Sequence, residues 1–228
     1  EQIDLPDIKA VGKVLGCSVN DLLIAATAGA FRHYLQEKGD DANKVKIRAL
    51  VPVNMRAPDD EGALGNRFGL VALDLPLDVE HPLQRLYTVR DRMQALRTSL
   101  QPVVVLNLLH ALGMAPNAVQ QQAVELLTAK ASAVITNVPG PQQTLYLAGA
   151  RLRQPLFWVP QSGDIGVGVS ILSYDHKVQL GLITDKKLVP DPERVVARFA
   201  VEFEQLLLLV LMEPDLLFDP HGLDALLG

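Results

Sequence analysis

A single cysteine, Cys17, stands in 228 residues. That excludes an internal disulfide, and no spacing of Cys and His along the chain matches a metal site. A reducing compartment is expected. Positive charge is also scarce: 21 Lys and Arg against 26 Asp and Glu leave a net charge of -5, without the clustered basic face that phosphate-backbone binding requires. Nucleic acid is therefore not an expected partner. Long apolar runs are missing too. The longest, Val103 to Met114, falls short of the roughly 20 residues a spanning helix needs and contains Asn107 and His110. It reads as a buried helix in preference to one lying in a membrane interface, because it holds no Lys or Arg; the interfacial reading would set Leu106, Leu109 and Leu112 against lipid. Nothing at Glu1 resembles a charged and then apolar leader. With no initiator Met there, an upstream segment is expected.

What the chain has in quantity is aliphatic side chain. With 49% hydrophobic residues it can bury a sizeable core as one domain or one large lobe. Asp4 and Pro6 open a short helix with Ile8, Val11, Val14 and Leu15 on one stripe, and Gly16 ends it. Ser18 and Asp21 form a capping-box pattern, and Leu22 to Phe31 is apolar on nearly every face, the mark of a buried helix ending near Gly39. Strands follow over Val45 to Val53 and Phe68 to Leu75, then a helix opened by His81-Pro82 with Leu83, Leu86, Val89, Met93 and Leu96 inward and Arg85, Arg90, Asp91 and Arg92 outward. Helical stretches near Val103 to Leu112 and Ala118 to Leu127 precede strands at Ala133 to Val138, Val167 to Tyr174 and Val178 to Ile183. A helix from Pro192 to about Val210 comes last. The order mixes α and β without strict alternation, which predicts an α+β lobe over residues 1–211, helices covering one face of a mixed β-sheet, and a tail over 212–228. Between Tyr174 and Lys177 the pair Asp175-His176 lacks the glycine of a common two-residue hairpin, so a different turn is expected there.

Polar residues at the start of a buried helix need an account. Asp21 is explained by a reciprocal cap with Ser18. Asn20 offers a donor and an acceptor, so it either braces a neighbouring loop or points its amide at a substrate carbonyl. Pro139-Gly140-Pro141 is rigid turn chemistry, and Asn137 before it caps the strand end or shapes a substrate passage. Arg56 holds a loop, through carbonyls or Asp59, or meets phosphates. Acyl transfer to an alcohol needs a base near neutral pH, yet none of His33, His81, His110, His176 and His221 has a suitable setting. Ser162 and Ser170 lack a G-x-S-x-G elbow.

Four separated blocks, in order, resemble one family, the bacterial wax ester synthase/diacylglycerol acyltransferases. They are Asn20 to Ala25, which is similar to its N-D-V-V-L-A motif; Leu50 to Arg56; Leu64 to Gly69, with Asn66; and Asn137-Val138-Pro139-Gly140-Pro141. The resemblance runs from about Ile3 to Leu208 and covers the family's C-terminal half. The family's catalytic H-H-x-x-x-D-G motif belongs to its N-terminal half and matches no window here. The resemblance implies one lobe of a chloramphenicol-acetyltransferase-like, CoA-dependent acyltransferase fold, with no catalytic base in this chain. Asn20 and Asp21 would support activity, and Arg56, Asn66, Asn137, Pro139 and Gly140 would line a tunnel or lobe interface. Implied partners are the N-terminal lobe, a fatty acyl-CoA as substrate, and a long-chain alcohol or diacylglycerol. No cofactor or metal is implied, and the expected setting is cytoplasmic, with possible attachment to the inner membrane or lipid inclusions. A condensation-type acyltransferase lobe and a noncatalytic lipid-surface domain are the alternatives.

Overall fold

The computed structural model describes residues 2–55, 68–114, 116, 119, 131–159 and 165–212. In these the chain forms β1 (Gln2–Asp4), α1 (Leu5–Leu15), α2 (Val19–Glu37), β2 (Arg48–Asn54), β3 (Phe68–Asp74), α3 (Pro82–Thr98), α4 (Gln101–Gly113), β4 (Ala133–Pro139), β5 (Tyr146–Leu147), β6 (Ala150–Arg151), β7 (Val167–Tyr174), β8 (Lys177–Thr184) and α5 (Pro192–Met212). Six strands form one mixed sheet in the order β1-β8-β7-β4-β2-β3, and β5 and β6 make a separate small hairpin. β4 runs parallel to both β2 and β7, while β2–β3, β7–β8 and β1–β8 are antiparallel. The expected α+β lobe is present. Apart from residue 119, the stretch Ala118 to Leu127, and the tail from residue 213, lie outside the described residues.

Alternation along the strands explains the layers. Ala49, Val51, Val71, Leu73, Ala133, Ile135, Val169, Ile171, Val178 and Leu180 point to one face and share a single apolar core with α1, α2, α3 and α5. Each Val, Leu or Ile among them contributes about 1.5–3 kcal/mol on removal from water. On the other face Leu50, Leu70, Ala72 and Val134 are only half-buried, and over β7 and β8 the chain around Phe157 to Val159 lies against Gly168 and Gly181. At Gly181 the strap is at ordinary contact distance, and a β-carbon would instead strike Ser170 Oγ of β7. A β-carbon at Gly168 would come within 3.3 Å of Val159 Cβ.

Local signals behave as their chemistry dictates. Gly16 ends α1 in the left-handed region (φ 62°), and Ser18 begins α2 with a complete capping box. At the β7–β8 turn the structure corrects the sequence reading. Both Asp175 (φ 49°) and His176 (φ 61°) take positive φ, so this is the tight two-residue turn after all, in the register Tyr174↔Lys177. Polar tethers hold it there: Asp175 accepts from Thr144 Oγ1 at 2.9 Å and from Arg151 at 2.8 Å.

Two further corrections concern burial. Arg85, expected outward on α3, is 1% exposed. It is ion-paired with Glu202 of α5, and its Nη1 donates to the carbonyls of Val79 and Glu80, both at 3.0 Å. Glu202 also meets His33 Nδ1 at 2.6 Å. The side chains fit because α2 has Gly29 opposite them, where a β-carbon would strike the Glu202 carboxylate. The run expected as a buried helix forms α4 against β3, but Val103, Val104 and Leu108 remain exposed. Val45 and Ile47 precede β2 instead of joining it, and β1 and the β5–β6 hairpin had no legible pattern. Among the described residues no single helix is long and apolar enough to cross a membrane.

Candidate functional site

Three pieces of chain converge where β4 and β7 end. The first turn of α2 brings Asn20 and Asp21. β4 brings Asn137 and, at its end, Pro139 and Gly140. The β7–β8 turn supplies the anchor beneath them. Asn137 pairs with Ile171 of β7, so its side chain points to the helix-covered face of the sheet. There Asn137 Nδ2 donates to Asn20 Oδ1 at 3.4 Å. Of the two roles open to Asn20, bracing is the one the geometry displays, and its own amide N–H groups have no hydrogen-bond partner among the described residues. Asn137 sits within the strand and does not cap its end.

Adjacent residues divide the work. Asp21 turns back onto the cap, where its Oδ2 accepts from Ser18 N at 3.0 Å and Ser18 Oγ at 2.6 Å, and its own N–H donates to Ser18 Oγ at 3.2 Å. The carboxylate is buried, and its Oδ1 has no partner among the described residues. An acid so placed favours the positive end of the helix and fixes the angle at which Asn20 leaves it. Just before, burial, with a smaller contribution from the Asp21 charge, pushes the Cys17 thiol up to about 11, against the opposing pull of Arg90.

The Pro139-Gly140-Pro141 turn is held from below. Gly140 N donates to Ser173 O at 2.9 Å and Asp175 N to Pro141 O at 3.2 Å. Backbone approaches so closely that a β-carbon at Gly140 would overlap the Ser173 carbonyl, which is why glycine stands there. Gln142 completes the clamp: its Nε2 donates to Gly140 O at 2.8 Å and its Oε1 accepts from His176 N at 3.1 Å. Sequence reading missed Gln142, although an amide directly after a rigid turn is a recognisable locking group. Arg56 and Asn66 lie outside the described residues.

The histidines have other duties. His33 belongs to the Arg85–Glu202 pair, with Nδ1 also 3.1 Å from Gly29 O. His81 is the N-cap residue of α3, and His176 is a turn residue. Among the described residues no group of three His, Cys, Asp or Glu is placed to hold a metal ion. What remains is a rigid polar corner: two facing amides, a buried cap carboxylate and a clamped turn. Such a corner can present hydrogen-bond donors in a fixed direction.

The WS/DGAT C-terminal domain model matches residues 64–207. A probable diacylglycerol O-acyltransferase of Mycobacterium tuberculosis is 31% identical over 208 residues, covering 89% of this chain and 45% of that protein. Among solved structures, a wax ester synthase/diacylglycerol acyltransferase from Marinobacter aquaeolei matches with TM-score 0.66 and 26% identity, over 91% of this chain and 47% of that one. The epimerization domain from the third module of tyrocidine synthetase B, at TM-score 0.55 and 13% identity over 96% of this chain and 48% of its own, shares the fold. The chain thus spans about half the length of the relatives it matches, and it belongs to the WS/DGAT family as a C-terminal domain.

Proposed function

We propose that this chain is the C-terminal half of an O-acyltransferase that moves a fatty acyl group from acyl-CoA to a long-chain alcohol or diacylglycerol, giving wax ester or triacylglycerol and CoA. The observation that carries the reading is the Asn20–Asn137 contact. It joins two sequence blocks 117 residues apart, the two on which the family resemblance chiefly rests, in one corner. An N-terminal lobe of the same protein supplies the base. That base takes the hydroxyl proton, the alkoxide attacks the thioester carbonyl, and the intermediate collapses with loss of the CoA thiolate. This chain forms the other wall and keeps the corner rigid, and the reaction draws on no cofactor. The exposed Val103, Val104 and Leu108 of α4 support a second element of the proposal, attachment to an inner-membrane or lipid-inclusion surface from the cytoplasmic side.

The test is CoA release from palmitoyl-CoA with hexadecanol or diacylglycerol, for this chain, the matching upstream lobe, and the two together. Turnover is expected only in the mixture. Asn20→Ala should lower kcat about tenfold, the equivalent of one lost hydrogen bond of about 1.4 kcal/mol, with an unchanged circular dichroism spectrum. Turnover by this chain alone would overturn the division of labour. A folded, associated but inactive mixture would point to a noncatalytic lipid-surface domain.

A further inference from the structure

On the opposite face of the sheet from Asn137, at the same end, a cleft of about 560 Å³ opens between the β5–β6 hairpin and the edge strands. Its walls are Gln2, Arg151, Arg153, Tyr174, Asp175 and Lys177. The walls carry three cations and one carboxylate, and Asp4 beside them meets Lys177, in a chain whose net charge is -5. Each cation has a distinct state. Arg151 is fixed by Asp175 at 2.8 Å, Lys177 meets Asp4 at 2.5 Å and keeps two further N–H donors, and Arg153 has no hydrogen bond or ion pair among the described residues.

A second observation lies beside the cleft. Gln179 stands opposite Gln2 in the β1–β8 register and two residues from Lys177, so strand alternation puts it on the same face as both. It is 1% exposed, and neither its amide nitrogen nor its oxygen has a partner among the described residues. A buried amide with both ends unmatched is costly, but Gln179 is not one of the cleft's walls and is not a contact for a bound group there.

We propose that this cleft binds a phosphate group, with Arg153 and Lys177 as its principal contacts and Arg151 as a fixed third cation. Phosphate suits it better than carboxylate: three separated donors match an anion with three free oxygens, an arginine fork can engage two of these, and a lysine adds a movable point charge. The volume lies within the range of small-molecule sites. Resting on the acyltransferase reading, the phosphate is that of the acyl-CoA donor, whose long flexible arm links its phosphates to a thioester on the far side of the sheet's end. A phospholipid headgroup offers the same chemistry, and the experiment separates the two.

Isothermal titration of this chain with inorganic pyrophosphate and with CoA, at low salt, should show one site for each. Arg153→Ala and Lys177→Ala should each weaken binding about tenfold, as loss of a charge-assisted hydrogen bond does. Asp4→Asn, which frees Lys177, should strengthen it about threefold; a merely structural disturbance would not tighten binding. Sedimentation with phosphatidic acid vesicles, against phosphatidylcholine controls, reads the lipid source. If vesicles bind through Arg153 and Lys177 while pyrophosphate and CoA do not, the phosphate is a headgroup. Absence of binding in every arm, or binding indifferent to Arg153→Ala and Lys177→Ala, overturns the proposal. Cleft binding by the chain alone, together with an inactive reconstituted mixture, would refute the acyltransferase reading and leave the phosphate site standing.

Discussion

Replacing Gly29 by alanine sets two effects of opposite sign against each other. Gly29 lies in the middle of α2, where helix propensity alone favours alanine by about 1 kcal/mol. The added β-carbon, however, would land on the Glu202 carboxylate and 2.7 Å from Arg85 Nη2. A surface glutamate would swing aside at little cost. Glu202 is 2% exposed, ion-paired with Arg85 and held at 2.6 Å by His33, so moving it separates a buried charge from its partner. Such a break costs about 3–5 kcal/mol. The difference is a net destabilisation of about 2–4 kcal/mol, or a fall in Tm of roughly 5–15 °C for a chain of this size. Thermal unfolding followed by circular dichroism measures it, with Ala28→Gly as the control for propensity. A Gly29→Ala protein as stable as the parent, or more so, would show that the buried pair has room to relax and that the reasoning is wrong.

Other expectations follow from single contacts. Ser18→Ala removes the cap and leaves the buried Asp21 carboxylate with only a backbone donor; a loss of about 1 kcal/mol, or roughly 2–4 °C in Tm, is expected by the same unfolding assay. The Asp191 carboxyl is lowered from 3.8 to about 2 by the hydrogen bonds from Lys38 and Tyr34, while burial and then the Asp191 bond push Tyr34 up to about 12. A folded-state pKa below the unfolded one means that the clamp contributes fully above about pH 4 and is lost as pH falls towards 2. The Tm difference between the parent and Asp191→Asn should accordingly shrink over that window; a difference independent of pH would refute it.

Much of the fold was legible because the burial pattern was strong. Strand alternation at Ala133 to Val138 and Val167 to Tyr174, and the capping box at Ser18, give unambiguous local signals, and the structure follows them. Arg85 was misplaced because one arginine on a helix reads as solvent-facing unless its partner is known, and Glu202 lies 117 residues away. β1 is three residues long and exists only because β8 offers it an edge. The positive φ of His176 is a matter of tertiary tethering through Asp175 and Gln142, which residue preference does not reveal. At the site, Asn20 and Asn137 were each visible as polar residues in apolar surroundings. Their meeting was not, since it depends on β4 joining the sheet beside β7.

The apolar girdle of α2 has a consequence for how the chain comes off the ribosome. Thirteen of its residues are buried, but the helix that covers them most extensively, α5, ends at Met212. At about 5–20 residues per second, the roughly 170 residues between the two take some 10–35 s to be made. Throughout that interval α2 lacks the cover of α5, though α1 and then α3 can flank it, while β1 waits for an edge that β8 has yet to provide. The flank of α2 that α5 covers is therefore exposed on the nascent chain until α5 has been made.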